Sequence, residues 1–153
     1  MRNERYLVKT SRASMTFDFV SEGPKGLIPK RVEYRQYGNE NIYNLGFGDL
    51  NVETGEIDDT VVTDNNDSKK VLSTVASTVY TFTEKYSGAV VYAQGSNAVR
   101  TRLYRIGISN NLEELTEQFD VHGYLPKIGW TLYEKNNDYT AFFIKRKKEL
   151  NNE

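Results

Sequence analysis

The sequence predicts an α+β domain: an antiparallel sheet built from both ends of the chain, with a central helix–strand–helix unit packed on one face of it. Two observations predict this class. Short segments of alternating apolar and polar residues, separated by Gly, Pro and Asn, fill residues 14–63 and return after residue 119. Between them, two longer segments carry apolar residues spaced by three and four, and a short apolar run separates the two. A helix with one apolar stripe cannot bury it alone, so the sheet must cover both helices.

Length and composition limit the class of protein. The chain has 153 residues, which fits a single domain over residues 1–153, and we expect its polar ends, residues 1–5 and 147–153, to be loose. The absence of cysteine excludes disulfides and thiolate metal sites and favours a cytoplasmic location. No apolar stretch approaches the length of a membrane span, so we expect no membrane association. The 20 basic and 21 acidic residues give a net charge of −1, which does not mark a nucleic-acid-binding protein.

The N-terminal half is predicted to form an antiparallel meander. Phe17 and Phe19 alternate with polar residues, as in a strand with one buried face. The same alternation recurs at Val32 and Tyr34, after a segment that Gly-Pro marks as a loop. The predicted loop is residues 21–26, and further strands are predicted at residues 42–47 and 57–62.

The central unit begins with a predicted helix that Asp67 caps through its carboxylate. Residues 90–93, β-branched and aromatic between two glycines, are predicted to be a buried strand. A second helix follows the Gly-Ser-Asn turn at residues 95–97, capped by Ser96 or Asn97. Spacings of three and four predict the core faces. These are Leu72, Val75, Val79, Phe82 and Tyr86 in the first helix and Val99, Leu103 and Ile106 in the second.

The last third of the chain is predicted to form a short helix, a strand and a hairpin. Leu112, Leu115 and Phe119 mark the helix by their spacing, and residues 120–124 are predicted to be the strand. The hairpin pairs the segment around Trp130 with the segment around Phe143, and its turn is the Asn-Asn-Asp sequence at residues 136–138.

The turn at residues 95–97 and the helix after it form the candidate ligand site. No Asp or Glu occurs from residue 85 to residue 112, and arginines follow the turn. A helix N-terminus favours negative charge, and arginine binds phosphate or carboxylate through parallel hydrogen bonds. The candidate ligand-binding residues are Ser96, Asn97, Arg100, Arg102, Tyr104 and Arg105, joined by Lys25 from the Gly-Pro loop. The alternative is an ordinary capped helix whose arginines are solvated or paired with acids elsewhere.

Other chemistry is limited by the side chains available. His122 is the only histidine and no Gly-x-Ser-x-Gly turn occurs, so we expect His122 to be a structural residue in a strand or turn. A Mg²⁺ site needs only one or two carboxylates beside the phosphates of a substrate. The available carboxylates are Asp49, Asp58, Asp59 and Asp67. Nothing in their spacing demands a metal, so we assign no metal ligand and leave the cofactor open.

Two resemblances add to these predictions. The stretches SEGPKG at residues 21–26, NLGFGD at 44–49, DNNDSKKVLSTVASTVYTF at 64–82 and GSNAVRTRLYR at 95–105 resemble an uncharacterised family of small bacterial proteins. That resemblance implies a single bacterial domain and says nothing about a substrate. A weaker resemblance is to the acetyltransferase superfamily, in which a meander leads to a helix and a later Asn…Leu-Tyr element. The coenzyme A turn of that superfamily, Q/R-x-x-G-x-G/A, matches neither DNNDSKK nor AQGSNAV, so we do not expect an acetyltransferase.

The function that these features favour is a small binding module for a phosphate-bearing molecule or a partner protein, because no catalytic group is evident. An alternative is a Mg²⁺-dependent enzyme on a phosphate-bearing or nucleotide substrate, which requires aspartates and arginines in one cleft. A second alternative is a nucleic-acid-binding or toxin–antitoxin-type protein. We do not expect nucleic acid as the partner, because the chain is nearly neutral and residues 49–67 are acidic.

Overall fold

The structure is a computed structural model that describes residues 3–58 and 63–148. Its helices are α1 (Ser68–Lys85), α2 (Ala98–Asn110) and α3 (Leu112–Gln118). Its strands are β1 (Lys9–Thr10), β2 (Thr16–Gly23), β3 (Gly26–Gln36), β4 (Ile42–Asn51), β5 (Glu56–Asp58), β6 (Val90–Ala93), β7 (Phe119–Leu125), β8 (Gly129–Leu132) and β9 (Ala141–Arg146). Among the helices of these residues, none has the length and apolar character needed to cross a membrane.

The described strands form one mixed sheet in the order β1-β2-β3-β4-β6-β9-β7-β8, and β5 also pairs with β4. Neighbouring strands run antiparallel except β4 and β6, which are parallel. A parallel step needs a long crossover, and α1 lies in the connection from β4 to β6. The predicted α+β class is confirmed: strands from both ends of the chain enter the sheet, and the strand of the central unit lies within it.

The core lies between one face of the sheet and the helices. Phe17, Val32 and Phe47 stand side by side on β2, β3 and β4 and are almost fully buried. Tyr34 stacks on Phe82 of α1, with ring centroids 4.0 Å apart. The predicted core face of α1 is confirmed, since Leu72, Val75, Val79 and Phe82 are buried and Tyr86 packs against the cluster.

The predicted core face of α2 is wrong in part: Leu103 packs against the core, but Val99 and Ile106 are exposed. Val99 is 72 % exposed, and the buried residues of this helix are Arg100, Tyr104, Gly107 and Ile108. The two helices meet at Gly107, where a Cβ atom would lie 3.3 Å from the Cβ of Leu72 on α1. This close approach turns the side of α2 that carries Gly107 toward α1, and Val99 is left facing water.

The predicted C-terminal hairpin is also wrong. β8 pairs with β7 at the edge of the sheet, while β9 inserts between β6 and β7. Burial explains the order, because Ala141, Phe142 and Ile144 of β9 are buried and Leu132 of β8 is 66 % exposed. A strand with a mostly buried pattern belongs inside a sheet, where it has neighbours on both sides.

Two boundaries and one helix cap differ from the predictions. Residues 21–26 are a tight hairpin between β2 and β3 rather than a longer loop. The fourth strand is present as β5, and residues 59–62 of the predicted segment lie outside the described residues. Asp67 is the N-cap of α1 by position, but its carboxylate makes no capping hydrogen bond and instead accepts from the hydroxyls of Tyr6 and Ser21.

The two chain ends predicted to be loose are only partly described, since residues 1–2 and 149–153 lie outside the described residues. At the described N-terminal end, the Asn3 amide donates to the Asn110 carbonyl oxygen at 3.1 Å and to Asn111 Oδ1 at 3.0 Å. At the other end, the backbone N–H of Lys147 donates to the Gln118 carbonyl oxygen at 2.9 Å.

Candidate functional site

A cleft opens where the two parallel strands diverge. β4 and β6 pair over residues 42–44 and 90–92, and β4 then continues beside β5 at residues 49–51. Among the described residues, no strand pairs with this side of β4 at residues 45–48. The cleft has a volume of about 490 Å³. The polar residues that line it include Glu33, Arg35, Asn44, Glu56, Arg100 and Tyr104. In open sheets, ligands bind outside the carboxyl ends of parallel strands at such a divergence.

Two side chains of α2 reach into the gap and bind the carbonyl groups that β4 leaves there. Arg100 Nη2 donates to the Phe47 carbonyl oxygen, and the Tyr104 hydroxyl donates to the Leu45 carbonyl oxygen at 3.4 Å. Arg100 is only 5 % exposed, yet its Nη1 has no hydrogen-bond partner among the described residues. Arg100 thus lines the cleft, and its guanidinium holds a buried, charged donor that no described residue satisfies.

The N-terminus of α2 stands beside this donor. Asn97 is the cap, since its Oδ1 accepts from the backbone N–H of Arg100 at 3.0 Å, and Ser96 lines the cleft. Gly95 allows the close passage of the chain into the helix, because a Cβ atom there would lie 2.2 Å from the backbone nitrogen of Thr101. The positive end of the helix dipole is thus directed toward the same region as Arg100, and both favour negative charge.

The structure brings together only part of the predicted site. Ser96, Arg100 and Tyr104 line the cleft, and Asn97 orders the helix start next to them. Arg102 and Arg105 line a different surface depression on the other side of α2, where Arg105 Nη1 lies 3.5 Å from Asp138 Oδ1. Lys25 lies in the β2–β3 turn, where its backbone N–H donates to Asn65 Oδ1 at 2.7 Å, and it is not among the lining residues.

Several lining residues carried no signal in the sequence. Glu33 and Arg35 come from β3, Asn44 comes from β4 and Glu56 comes from β5. Each is a polar residue of an ordinary alternating strand, and only the strand order places it at the gap. The Arg35 guanidinium donates to the Glu33 carboxylate through a 2.8 Å hydrogen bond, so these two charges largely offset one another.

The candidate carboxylates Asp49, Asp58 and Asp67 and the histidine are described by the structure and do not line the cleft. Asp49 binds Lys30 and Asp67 binds Tyr6 and Ser21, while Asp59 lies outside the described residues. Within residues 3–58 and 63–148, no three His, Cys, Asp or Glu side chains are grouped so that they could hold a metal ion. His122 lies in β7, as predicted, and stacks on Phe143 with ring centroids 4.4 Å apart.

Tyr104 enters the cleft as a neutral donor. Burial raises the pKa of the Tyr104 hydroxyl to about 12, although the positive charge of Arg100 acts in the opposite direction. The hydroxyl therefore stays protonated at neutral pH and donates to the β4 carbonyl group. The single Tyr104 proton is used at the Leu45 carbonyl group, so Tyr104 adds no charge and no free donor beside Arg100.

We expect the free energy of unfolding to fall as the pH rises from about 10 to about 12, with a contribution from Tyr104. The unfolded chain ionises this tyrosine near its ordinary pKa, whereas the folded chain keeps it neutral, so its stabilising contribution is complete below that range and lost across it. Urea unfolding at a series of pH values measures the slope. Tyr104→Phe should show a shallower fall, and an unchanged slope in that variant would contradict the assignment.

The fold and the cleft define the class: an α+β domain with a polar, arginine-lined cleft at the carboxyl ends of two parallel strands. A family model matches residues 2–147, and the chain belongs to that family, a family of unknown function (DUF6934). The predicted membership in an uncharacterised family is confirmed. Comparison with curated proteins and with solved structures gives no significant match.

Proposed function

We propose that this protein binds a phosphate-bearing ligand in the cleft between β4 and β6, with Arg100 as the charged contact. The observation that carries the proposal is the Nη1 of Arg100, a buried donor without a partner among the described residues. Leaving a buried charged donor unpaired costs free energy, and a phosphate oxygen would satisfy it with a charge-assisted hydrogen bond.

The surroundings of Arg100 favour one phosphate group rather than a long polyanion. Arg100 and the N-terminus of α2 attract negative charge, while Glu56 lines the same cleft and opposes it. The positive charge of Arg35 offsets the negative charge of Glu33, and both residues line the cleft. With Nη2 already bound to the Phe47 carbonyl group, Arg100 has one terminal nitrogen left for a ligand.

The test is a thermal-shift screen at low salt, with and without Mg²⁺, against inorganic phosphate, sugar phosphates, nucleotides, coenzyme A and short RNA. A ligand at 100 times its Kd stabilises the fold by ~2.7 kcal/mol, which raises the Tm of a domain of this size by roughly 5–10 °C. Isothermal titration then compares Arg100→Lys with Arg102→Gln. Arg102 is a matched control, because it lies on the same helix, is exposed and is not among the residues that line the cleft.

We expect Arg100→Lys to weaken binding by about tenfold or more, since lysine lacks the second donor of the guanidinium fork, and Arg102→Gln to bind like the unchanged protein. Circular dichroism checks that both variants are folded. Equal affinity in Arg100→Lys, or a loss confined to Arg102→Gln, contradicts the proposal. A screen without hits on folded protein also contradicts it and leaves a partner protein as the ligand of this surface.

The same screen tests the Mg²⁺-dependent enzyme, because ligand binding that requires Mg²⁺ would favour it. A cytoplasmic location belongs to the same proposal, because the ligands concerned are metabolites of the cell interior.

A further inference from the structure

The face of the sheet away from the helices carries a cluster of aromatic rings, which we name the aromatic platform. It comprises Tyr92 of β6, His122 and Tyr124 of β7, Trp130 of β8 and Phe143 of β9. Trp130 is at its centre, with ring centroids 5.0 Å from Phe143, 5.3 Å from Tyr124 and 6.1 Å from Tyr92. Trp130 is 43 % exposed, so the platform offers aromatic surface to solvent.

The aromatic platform is continuous with the cleft. Tyr92 pairs in register with Asn44 of the neighbouring strand, and its hydroxyl donates to Gln94 Oε1 at 3.1 Å. Both Asn44 and Gln94 line the cleft. Tyr92 alternates with Val91 and Ala93, which are buried against the helices, so its ring lies on the open face. A ligand in the cleft that extends over this face meets Tyr92 first.

The separation of the charged donor from the aromatic platform can be read from the strands. Arg100 binds β4 at Phe47, which lies three residues beyond Asn44, or roughly 10 Å along a strand. Tyr92 lies one strand to the side of Asn44, or about 4.8 Å away. The two features are therefore on the order of 11 Å apart at the backbone, with Arg100 reaching the gap from the helix side and Tyr92 lying on the open face beside it.

We propose that the phosphate-bearing ligand is a nucleoside phosphate, with its phosphate at Arg100 and its base stacked on the aromatic platform at Tyr92 and Trp130. This inference rests on the proposed function of the cleft. A nucleoside phosphate joins an anionic group to a flat aromatic ring through one sugar, which is the combination that the cleft and the platform offer side by side. Stacking on aromatic side chains strengthens binding of any base, so it defines the class of ligand and not the particular base.

A single nucleotide fits this surface better than a nucleic-acid strand does. A strand needs a basic groove that follows several phosphates, whereas the chain has a net charge of −1 and the cleft contains Glu56 beside Arg100. The open face also pairs cations with acids, as in the pair of Asp18 with Arg31 and the pair of Glu33 with Arg35.

Trp130 is the only tryptophan, so its fluorescence reports directly on the platform. Isothermal titration and Trp130 fluorescence would be measured with adenosine 5′-monophosphate, ribose 5-phosphate and adenosine. We expect adenosine monophosphate to bind about tenfold more tightly than ribose 5-phosphate and to quench Trp130. Ribose 5-phosphate should bind without quenching, and adenosine should bind more weakly than the monophosphate.

Two variants divide the contribution of the base from that of the phosphate. Tyr92→Leu should lower the affinity for adenosine monophosphate toward that for ribose 5-phosphate and leave ribose 5-phosphate unchanged. Tyr37→Leu is the matched control, because Tyr37 is 70 % exposed at the turn between β3 and β4, and both affinities should stay the same.

The outcomes separate this inference from the proposed function. If ribose 5-phosphate and adenosine monophosphate bind equally and Trp130 is not quenched, the nucleotide inference is overturned while the phosphate site stands. If adenosine binds as tightly as its monophosphate, or if none of the three binds, both are overturned. Tighter binding of a short oligonucleotide, with a steep dependence on salt, would overturn the single nucleotide in favour of a nucleic-acid strand.

Discussion

Replacing Asp49 with alanine is expected to lower the free energy of unfolding by about 3–5 kcal/mol, because the change leaves a buried lysine without its counter-charge. The Lys30 side chain is 1 % exposed, and its Nζ lies 2.5 Å from Asp49 Oδ1. Asp49 also accepts from the hydroxyl of Thr63 at 2.5 Å, and Lys30 donates to the Thr63 carbonyl oxygen at 3.1 Å. The pair therefore attaches the segment that leads into α1 to the sheet.

Two comparisons make this prediction specific to the buried pair. Asp18→Ala breaks the pair of Asp18 with Arg31, whose side chains are 32 % and 22 % exposed, and should cost at most ~1 kcal/mol. The double variant Lys30→Met, Asp49→Leu removes both charges and should recover much of the loss, since a buried ion pair is often replaceable by apolar residues. Urea unfolding followed by circular dichroism measures all three. A loss in Asp49→Ala no larger than that in Asp18→Ala would refute the buried-charge argument.

Replacing Phe82 with alanine is expected to cost about 3–5 kcal/mol as a truncation at the centre of the core. Phe82 is fully buried, and its ring centroid lies 4.0 Å from that of Tyr34, 4.9 Å from that of Tyr86 and 5.0 Å from that of Tyr43. These contacts join α1 to β3 and β4. The loss combines the apolar transfer free energy of the ring with the cavity that it leaves.

The neighbouring residue supplies the control for Phe82. Thr81 is exposed on the same helix, and Thr81→Ala should change the free energy of unfolding by no more than about 0.5 kcal/mol. Phe82→Leu should fall between the two variants because it leaves a smaller cavity. In urea unfolding of the Phe82 variants, the midpoint concentration should fall, while the dependence of the free energy of unfolding on urea should change little. A small loss in Phe82→Ala would mean that α1 packs on the sheet through other residues.

The elements with a single apolar pattern were predictable from the sequence. α1 has one apolar stripe, from Leu72 to Phe82, and β6 is a short run that contains β-branched residues. Each of these local patterns fits only one type of secondary structure. The candidate site was partly predictable for the same reason. Ser96 in the turn before α2 and Arg100 in the first turn of that helix combine a helix start with a cation, and both line the cleft.

The face of α2 and the rest of the cleft were decided by contacts between distant parts of the chain. Val99, Leu103 and Ile106 form an apolar stripe, but β4 leaves the carbonyl groups of Leu45 and Phe47 without a strand partner, and Tyr104 and Arg100 bind them. No periodicity within α2 contains that information. The same holds for β9, which enters between β6 and β7 instead of pairing with β8.

The sequence by itself thus determined the α+β class, the helix α1, the strand β6 and the arginine-bearing turn, because periodicity, capping and turn residues act over a few neighbouring positions. Only the tertiary structure decided which arginine is buried, which polar residues of β3 and β5 face it and which aromatic rings lie beside it. The physical reason is that unpaired backbone groups must find hydrogen-bond partners, and Arg100, which donates to the Phe47 carbonyl group of β4, lies 53 residues from it in the chain.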